Sequence, residues 1–257
     1  MRIATWNING LRARMDFMAL WLKDRQPDVV GLQELKTPTE DFPHDFFLDL
    51  GYHAAVHGQK SWNGVAILTR KPCEISQAGL PGEDDWGARL ITAKVDGGLE
   101  FTTVYCPNGK SIEHDDYPNK LTWYDSLNTH WQSGDGTNRV LCGDFNIVPT
   151  HLDSWRGGQA DGDIFHTPEE RSRLQALFDL GLTDLYRRQY PETAAFSWWD
   201  YRGGAFHRKQ GLRIDFVLGT QEILAKVENV VIDRDYRKKQ EGLTASDHAP
   251  VYADLAL

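Results

Sequence analysis

Apolar and polar positions along the chain divide it into many short strands and a few helices. Residues 2–8 read as a strand that starts at the first residues. Between Arg14 and Gln26, Met15, Phe17, Met18, Trp21 and Leu22 fall at near-helical spacing, and Pro27 ends the pattern. Asp28–Leu32 is a second strand, short and apolar enough to be buried. Residues 53–56 and 64–69 are predicted to pair around a polar turn with Asn63-Gly64. Ala88–Val95 and Leu99–Cys106 are joined by Asp96-Gly97-Gly98, a hairpin signal. Leu121, Tyr124, Leu127 and Trp131 make one stripe of a helix over 119–132, and Val140–Cys142 is a short buried strand. Thr167-Pro168-Glu169-Glu170 offers a capping residue, a first-turn proline and the acid of a capping box. It predicts a helix to about Leu180, stopped by Gly181. Strands follow near 196–199, 213–218 and 247–255, with a short helix over Glu222–Val227.

Hairpins dominate this order and helices come as long insertions. That predicts an α+β fold of antiparallel-rich sheets covered by helices rather than a Rossmann arrangement. No segment rich in Pro, Gly or Ser breaks the 257 residues, so residues 1–257 read as one domain.

The ends of the predicted strands carry the chemistry. They read TWNIN at 5–9, LQE at 32–34, CGDFN at 142–146, LRIDF at 212–216 and SDHAP at 246–250. Each sets Asn, Asp, Glu or His beside a short apolar run, which is how a sheet delivers side chains to one rim. Oxygen donors of this kind suit a hard divalent cation, whereas a structural zinc site tends to show closely spaced Cys/His pairs. Asp144 and Asn146 lie two apart, so in an extended segment they share a face and can hold and deprotonate a water. Gly143 permits a close backbone approach there. A cationic His248 can stabilise a phosphate oxyanion, with Asp215 as the carboxylate that orients it. WNIN and GDFN form a weak internal echo.

Charge complicates a nucleic-acid partner. Acids outnumber bases 37 to 28, for a net charge of −9. The stretch from Tyr201 to Arg213, however, holds Arg202, His207, Arg208, Lys209 and Arg213 without one acid. Three widely separated cysteines give no disulfide framework and suit a reducing, cytoplasmic setting. No secretory leader and no apolar run of membrane-spanning length is read.

The segments NINGLRAR (7–14), PDVVGLQELK (27–36), TPEER (167–171), FSWWDYR (196–202), GLRID (211–215) and SDHAP (246–250) occur in an order and spacing that resembles one family. This is the exonuclease III family of DNA-repair nucleases, or AP endonucleases, of the endonuclease/exonuclease/phosphatase superfamily. The resemblance runs from Met1 to the C-terminus and is strongest to the bacterial exonuclease III branch. It implies a four-layer α/β/β/α sandwich and a Mg²⁺-dependent enzyme, with Mn²⁺ as a substitute. By resemblance Glu34 is the principal metal ligand, with Asn7 and Asp247 nearby. Asp144 orients or deprotonates the attacking water and Asn146 is its amide partner. Tyr105 contacts the scissile phosphate, Asn108 lies beside it, and His248 backed by Asp215 binds the phosphate. Trp198 and Leu212 line a pocket for an abasic sugar, while Arg12, Lys120 and Arg202 face the DNA backbone.

The implied partner is double-stranded DNA with abasic sites or blocked 3′ ends, met by a monomer. Two departures stand out: Asn9 where some relatives carry Asp, and Leu212 where others carry Trp. Two other readings remain, a different phosphohydrolase of the superfamily and a non-catalytic RNA-binding regulator. The complete set of chemical side chains weighs against the second.

Overall fold

The computed structural model describes residues 1–134 and 136–256. In chain order its elements are β1 (Arg2–Asn7), α1 (Met15–Arg25), β2 (Val29–Gln33), α2 (His44–Asp49), β3 (His53–His57), β4 (Val65–Thr69), β5 (Glu74–Ala78), β6 (Leu90–Val95), β7 (Leu99–Tyr105), α3 (Asp116–Ser133), β8 (Arg139–Asp144), α4 (Pro168–Asp179), β9 (Thr183–Asp184), α5 (Leu185–Gln189), β10 (Asp215–Gly219), α6 (Gln221–Leu224), β11 (Val227–Ile232) and β12 (Val251–Leu255).

The strands form two six-stranded sheets, ordered β11-β12-β1-β2-β4-β3 and β5-β6-β7-β8-β10-β9. Each contains one parallel pair, β1 with β2 and β7 with β8; every other pairing is antiparallel. Walked from β11 and from β9, the two sheets repeat the same succession of pairings. In that repeat β1 corresponds to β8, so the echo between WNIN and GDFN falls on equivalent strand ends.

The inner faces meet through Ile3, Val29 and Ile67 on one side and Ile91, Phe101, Val140 and Cys142 on the other. Outside the first sheet, Phe17, Met18, Trp21 and Leu22 of α1 cover Ala4, Trp6, Val30 and Leu32. Outside the second, Trp123, Tyr124 and Leu127 of α3 and Leu174 and Leu177 of α4 cover Leu141, Phe216 and Leu218. The four layers α/β/β/α are those expected. Because both faces are covered, β2, β4, β8 and β10 are buried along their whole length, and they read as continuous apolar runs rather than alternations.

The capping box of α4 forms as predicted: Thr167 Oγ1 accepts from Glu170 N, and Glu170 Oε2 accepts from Thr167 N. Three readings need correction. Residues 196–199 are not a strand; Trp198 makes single bridges to Leu212 and His248. The last strand starts at Val251 rather than at 247, after Pro250, which has no N–H to give a ladder. The helix near 222–227 is only Gln221–Leu224, and Val227–Ile232, not read as a strand, pairs with β12. Among the described residues no helix is long and apolar enough to cross a membrane.

Candidate active site

Strand registers bring the chemical residues together. Asn7 pairs with Gln33 across the parallel β1/β2 ladder, so Glu34 follows one step beyond. In the other sheet Asp144 lies between Tyr105 of β7 and Asp215 of β10. Beyond the strands the backbone turns left-handed at Asn9, Glu34, Lys36 and Asn146 (φ between 48 and 55°). A non-glycine residue there costs roughly 1–2 kcal/mol, and four such residues on one rim mark a place where side-chain direction outweighs backbone comfort.

Asn7 joins the sheets. Its Nδ2 donates to Glu34 Oε1 at 2.8 Å and to Asp144 Oδ2 at 2.9 Å, while its Oδ1 accepts from Asn9 N at 3.0 Å. Asp144 Oδ1 accepts from Asn146 N at 3.0 Å. The other Glu34 oxygen, Oε2, is paired with Lys36 Nζ at 2.9 Å, and Lys36 also donates to Asn9 Oδ1 at 2.6 Å. His248 Nδ1 donates to both oxygens of Asp215, at 3.0 and 3.1 Å, and its Nε2 stands 3.8 Å from Asp144 Oδ2. Ser197 Oγ donates to Asp215 Oδ2 at 2.5 Å and accepts from two backbone N–H groups, fixing that carboxylate.

The electrostatics follow from this packing. Burial pushes the Asp144 carboxyl up, nearby Asp215 adds to the rise, and His248 and Asn7 only partly offset it, leaving it at about 7. Burial alone would lower His248, but Asp215 and Asp144 outweigh it and hold the imidazolium up at about 10. The Tyr105 hydroxyl, buried and facing the Glu34 and Asp144 carboxylates, stays protonated far into alkali. The rim therefore sets a carboxylate able to exchange a proton near neutrality beside a fixed cation and a phenol donor.

A family model described as the endonuclease/exonuclease/phosphatase family matches residues 4–248. The chain belongs to this family. It is 37% identical to exodeoxyribonuclease III of Haemophilus influenzae over 99% of this chain and 100% of that one. It is 29% identical to the DNA repair nuclease APEX1 of Danio rerio, over 100% of this chain and 83% of that one. Among solved structures it matches the 3′ phosphatase NExo from Neisseria, bound to a product DNA hairpin, with a TM-score of 0.95 and 37% identity. It also matches an AP endonuclease from Archaeoglobus fulgidus, with a TM-score of 0.94 and 30% identity; both matches cover 100% of each chain.

The donors expected of a divalent-metal nuclease of this family are present. Ligand atoms of Glu34, Asp144 and His248 lie within 4.8 Å of one another. A protonated His248 has no free lone pair, so the oxygen donors are those of Glu34 and Asp144, which suits a hard cation. Two expected metal neighbours are otherwise engaged. Asn7 donates from Nδ2 to both carboxylates, and its Oδ1, the atom that could face a cation, accepts from Asn9 N. Asp247 stands outside the cluster, because its oxygens accept from Asn9 Nδ2 at 2.9 Å and Trp198 Nε1 at 3.0 Å. These bonds and the His248 charge outweigh burial and hold the Asp247 carboxyl below its usual value.

Lys120 requires the clearest correction. It does not face DNA but is fully buried on the inner side of α3. Its ammonium pairs with Glu170 Oε1 at 2.6 Å and donates to Asn146 O at 2.7 Å and Asn108 O at 3.2 Å. It thus ties the α4 cap to the loops that carry the two amides, Asn146 and Asn108, themselves linked at 3.3 Å. The sequence held the signal: Lys120 shares its helical face with Trp123, Tyr124, Leu127 and Trp131. Lys120→Met is expected to cost about 3–5 kcal/mol, because Glu170 is left as an unpaired buried charge. Adding Glu170→Met should recover much of the loss, and urea unfolding of both variants measures the difference.

The other basic residues divide. Arg12 is exposed but bound to Asp41 at 3.2 Å, and Arg202 is clamped by Asp200 at 2.7 Å, so a phosphate would have to displace an acid at each. Arg213 is buried between Asp153 and Asp184 and is no surface contact. Sequence reasoning missed Arg89, whose guanidinium lies 4.9 Å from the Tyr105 ring centroid and donates to Tyr105 O at 3.1 Å. Trp198 and Leu212 do line a cavity of about 400 Å³, with Phe165, His166, Ser154 and Trp155. Trp198 sits 6.5 Å, ring to ring, from His248, so this cavity opens beside the imidazolium.

Proposed function

We propose that this chain is a Mg²⁺-dependent DNA-repair nuclease that cleaves the phosphodiester 5′ to abasic sites and clears blocked 3′ ends. The carrying observation is the Asp144 carboxylate. It is oriented by Asn7 and Asn146 N, poised near neutrality, and set beside an imidazolium that Asp215 keeps charged. In this reading Asp144 takes the proton of the attacking water. The Nε2–H of His248 and the Tyr105 hydroxyl donate to the phosphoryl oxygens as charge grows on them. Glu34 holds the divalent cation, which when bound supplies Lewis-acid stabilisation of the phosphoryl group. The cavity at Trp198 and Leu212 receives a sugar without a base. The names of the relatives, an exodeoxyribonuclease III, a DNA repair nuclease, a 3′ phosphatase and an AP endonuclease, support DNA as the substrate. We place the enzyme in the cytoplasm as a monomer, with Cys73, Cys106 and Cys142 as free thiols.

The test uses three duplexes, one with an abasic-site analogue, one with a 3′-phosphate end and one undamaged, each with Mg²⁺ or with EDTA. The expected result is incision 5′ to the lesion and release of phosphate, both abolished by EDTA. Failure to process either damaged duplex with Mg²⁺ or Mn²⁺ present overturns the reading. Glu34→Ala is expected to raise the Mg²⁺ concentration giving half-maximal rate by roughly tenfold or more. An unchanged Mg²⁺ titration would remove Glu34 from the metal.

A further inference from the structure

The cavity beside His248 has a floor and a mouth of different character. Leu212 at the floor is 7% exposed, whereas Trp155 and Ile112, which line the same cavity, are 47% and 44% exposed. Isolated exposed apolar side chains are ordinary. These two share one opening, and the chain holds Trp155 there on both sides. Asp153 is gripped by Arg213 at 2.6 Å and by Arg187 at 2.5 Å. Ser154 bridges to Leu212, and its Oγ meets His166 Nε2 at 3.0 Å. Trp155 N donates to Gly211 O at 3.1 Å, and Arg156 pairs with Asp163 at 2.5 Å. Four consecutive residues are thus anchored, while the indole of Trp155 pairs with no other ring among the described residues.

Charge at the mouth decides what can rest on it. The Arg156 guanidinium is already neutralised by Asp163, and the exposed acid Glu113 stands in the same lining. A phosphate is disfavoured there. A flat, uncharged, aromatic group is not, and a nucleobase has that chemistry. The reaction defines which base. In the proposed function the attacked phosphate lies at His248, and the sugar joined to it through its 5′ oxygen enters the cavity. An abasic sugar brings no base, and a 3′-phosphate end brings no further nucleotide at all. An ordinary 3′-terminal nucleotide brings a base on the very sugar that fills the cavity, and that base must lie at the mouth.

We propose that Trp155, with Ile112 at the same opening, is the residue that fits this site to undamaged 3′ ends: the base of the departing terminal nucleotide stacks on its indole. Water adds to the phosphorus, and Asp144 takes its proton. The bond to the 3′ oxygen of the preceding nucleotide breaks, and that oxygen takes a proton from solvent. The terminal residue leaves as a nucleoside 5′-monophosphate. Trp155 sets specificity in this step and does not touch the reacting atoms. The proposal rests on the reading of the cavity as the sugar site.

The test follows three duplexes with Mg²⁺, one with undamaged 3′ ends, one with an abasic-site analogue and one with a 3′-phosphate. The enzymes are the parent, Trp155→Ala and Trp155→Phe. Trp155→Ala is expected to lower kcat/KM for release of the terminal nucleotide by roughly 5–150-fold more than for either damaged duplex, the loss of one base–aromatic stack. Trp155→Phe keeps a ring and should restore most of that loss. With EDTA to stop turnover, 2-aminopurine at the 3′ terminus should lose fluorescence on binding the parent and keep it on binding Trp155→Ala. Nucleotide release unaffected by Trp155→Ala, an equal loss on all three duplexes, or quenching that survives the substitution would each overturn the proposal. A parent that processes both damaged duplexes but releases no terminal nucleotide also overturns it, and leaves the proposed function standing. A parent inactive on all three overturns both.

Discussion

Asp144→Asn is expected to slow phosphodiester hydrolysis by roughly 10²–10⁴-fold, the range removed when a positioned general base is lost. The substitution is nearly isosteric. Its oxygen can still accept from Asn146 N, so the loop keeps its shape. The new amide NH₂, however, faces the Asn7 Nδ2 that now donates to Asp144, and it cannot accept a proton from water. It also removes one of the three carboxylates that hold His248 charged, while leaving Asp215 in contact with Nδ1 and Asp247 nearby. Binding of the duplex should therefore survive as turnover falls. Single-turnover cleavage and anisotropy of a labelled abasic duplex measure the two separately. A rate within a factor of about ten of the parent would move the base to another group.

Gly143→Ala carries the largest expected structural effect. Gly143 sits at φ 145°, and a Cβ built there would lie 1.9 Å from the carbonyl oxygen of Val104 on the neighbouring β7. Neither party is a flexible side chain that can move aside. Backbone strain and overpacking each cost about 1–3 kcal/mol, so a loss of about 2–6 kcal/mol is expected. Spreading β7 from β8 also separates Tyr105 from Asp144, which are register partners. Denaturant unfolding gives the stability, and kcat measured well below the unfolding midpoint gives the displacement of the site. Parent-like values for both would show that β7 can retreat without cost.

Sequence alone carried much of the site because this fold announces its chemistry at strand ends. Asn7, Glu34, Asp144, Asp215 and His248 each follow or open a short apolar run, and the registers bring them onto one rim. What stayed hidden depends on partners distant in the chain. Lys36 reads as an ordinary polar residue beyond a strand, yet it neutralises Glu34. Arg89 lies inside a predicted hairpin and becomes meaningful only when β7 sets Tyr105 beneath it. Lys120 looks solvent-facing because lysine almost always is, and only the buried Glu170 makes its inward position tolerable. The edge strands β5 and β11 were missed for a related reason. β5 is mostly exposed and buries no regular face, and β11 sits beside a helix of four residues that blurs its boundary. Arg213 shows the opposite error: a run of basic residues reads as one surface, but two carboxylates draw one of them inside.

The repeated succession of pairings in the two sheets has a mechanical consequence. Asn7 and Asp144 end equivalent strands, one in each sheet, and a single amide spans the gap between them. The same interface is held deeper in by Gln33, whose Nε2 donates to Thr5 of its own sheet and to Thr103 of the other, at 2.9 and 2.7 Å. Any sliding of one sheet over the other is thus read out directly as a change in how Asp144 is held. The rim behaves as a vernier scale for the sandwich: a small error in stacking far below it is expected to shift Asp144.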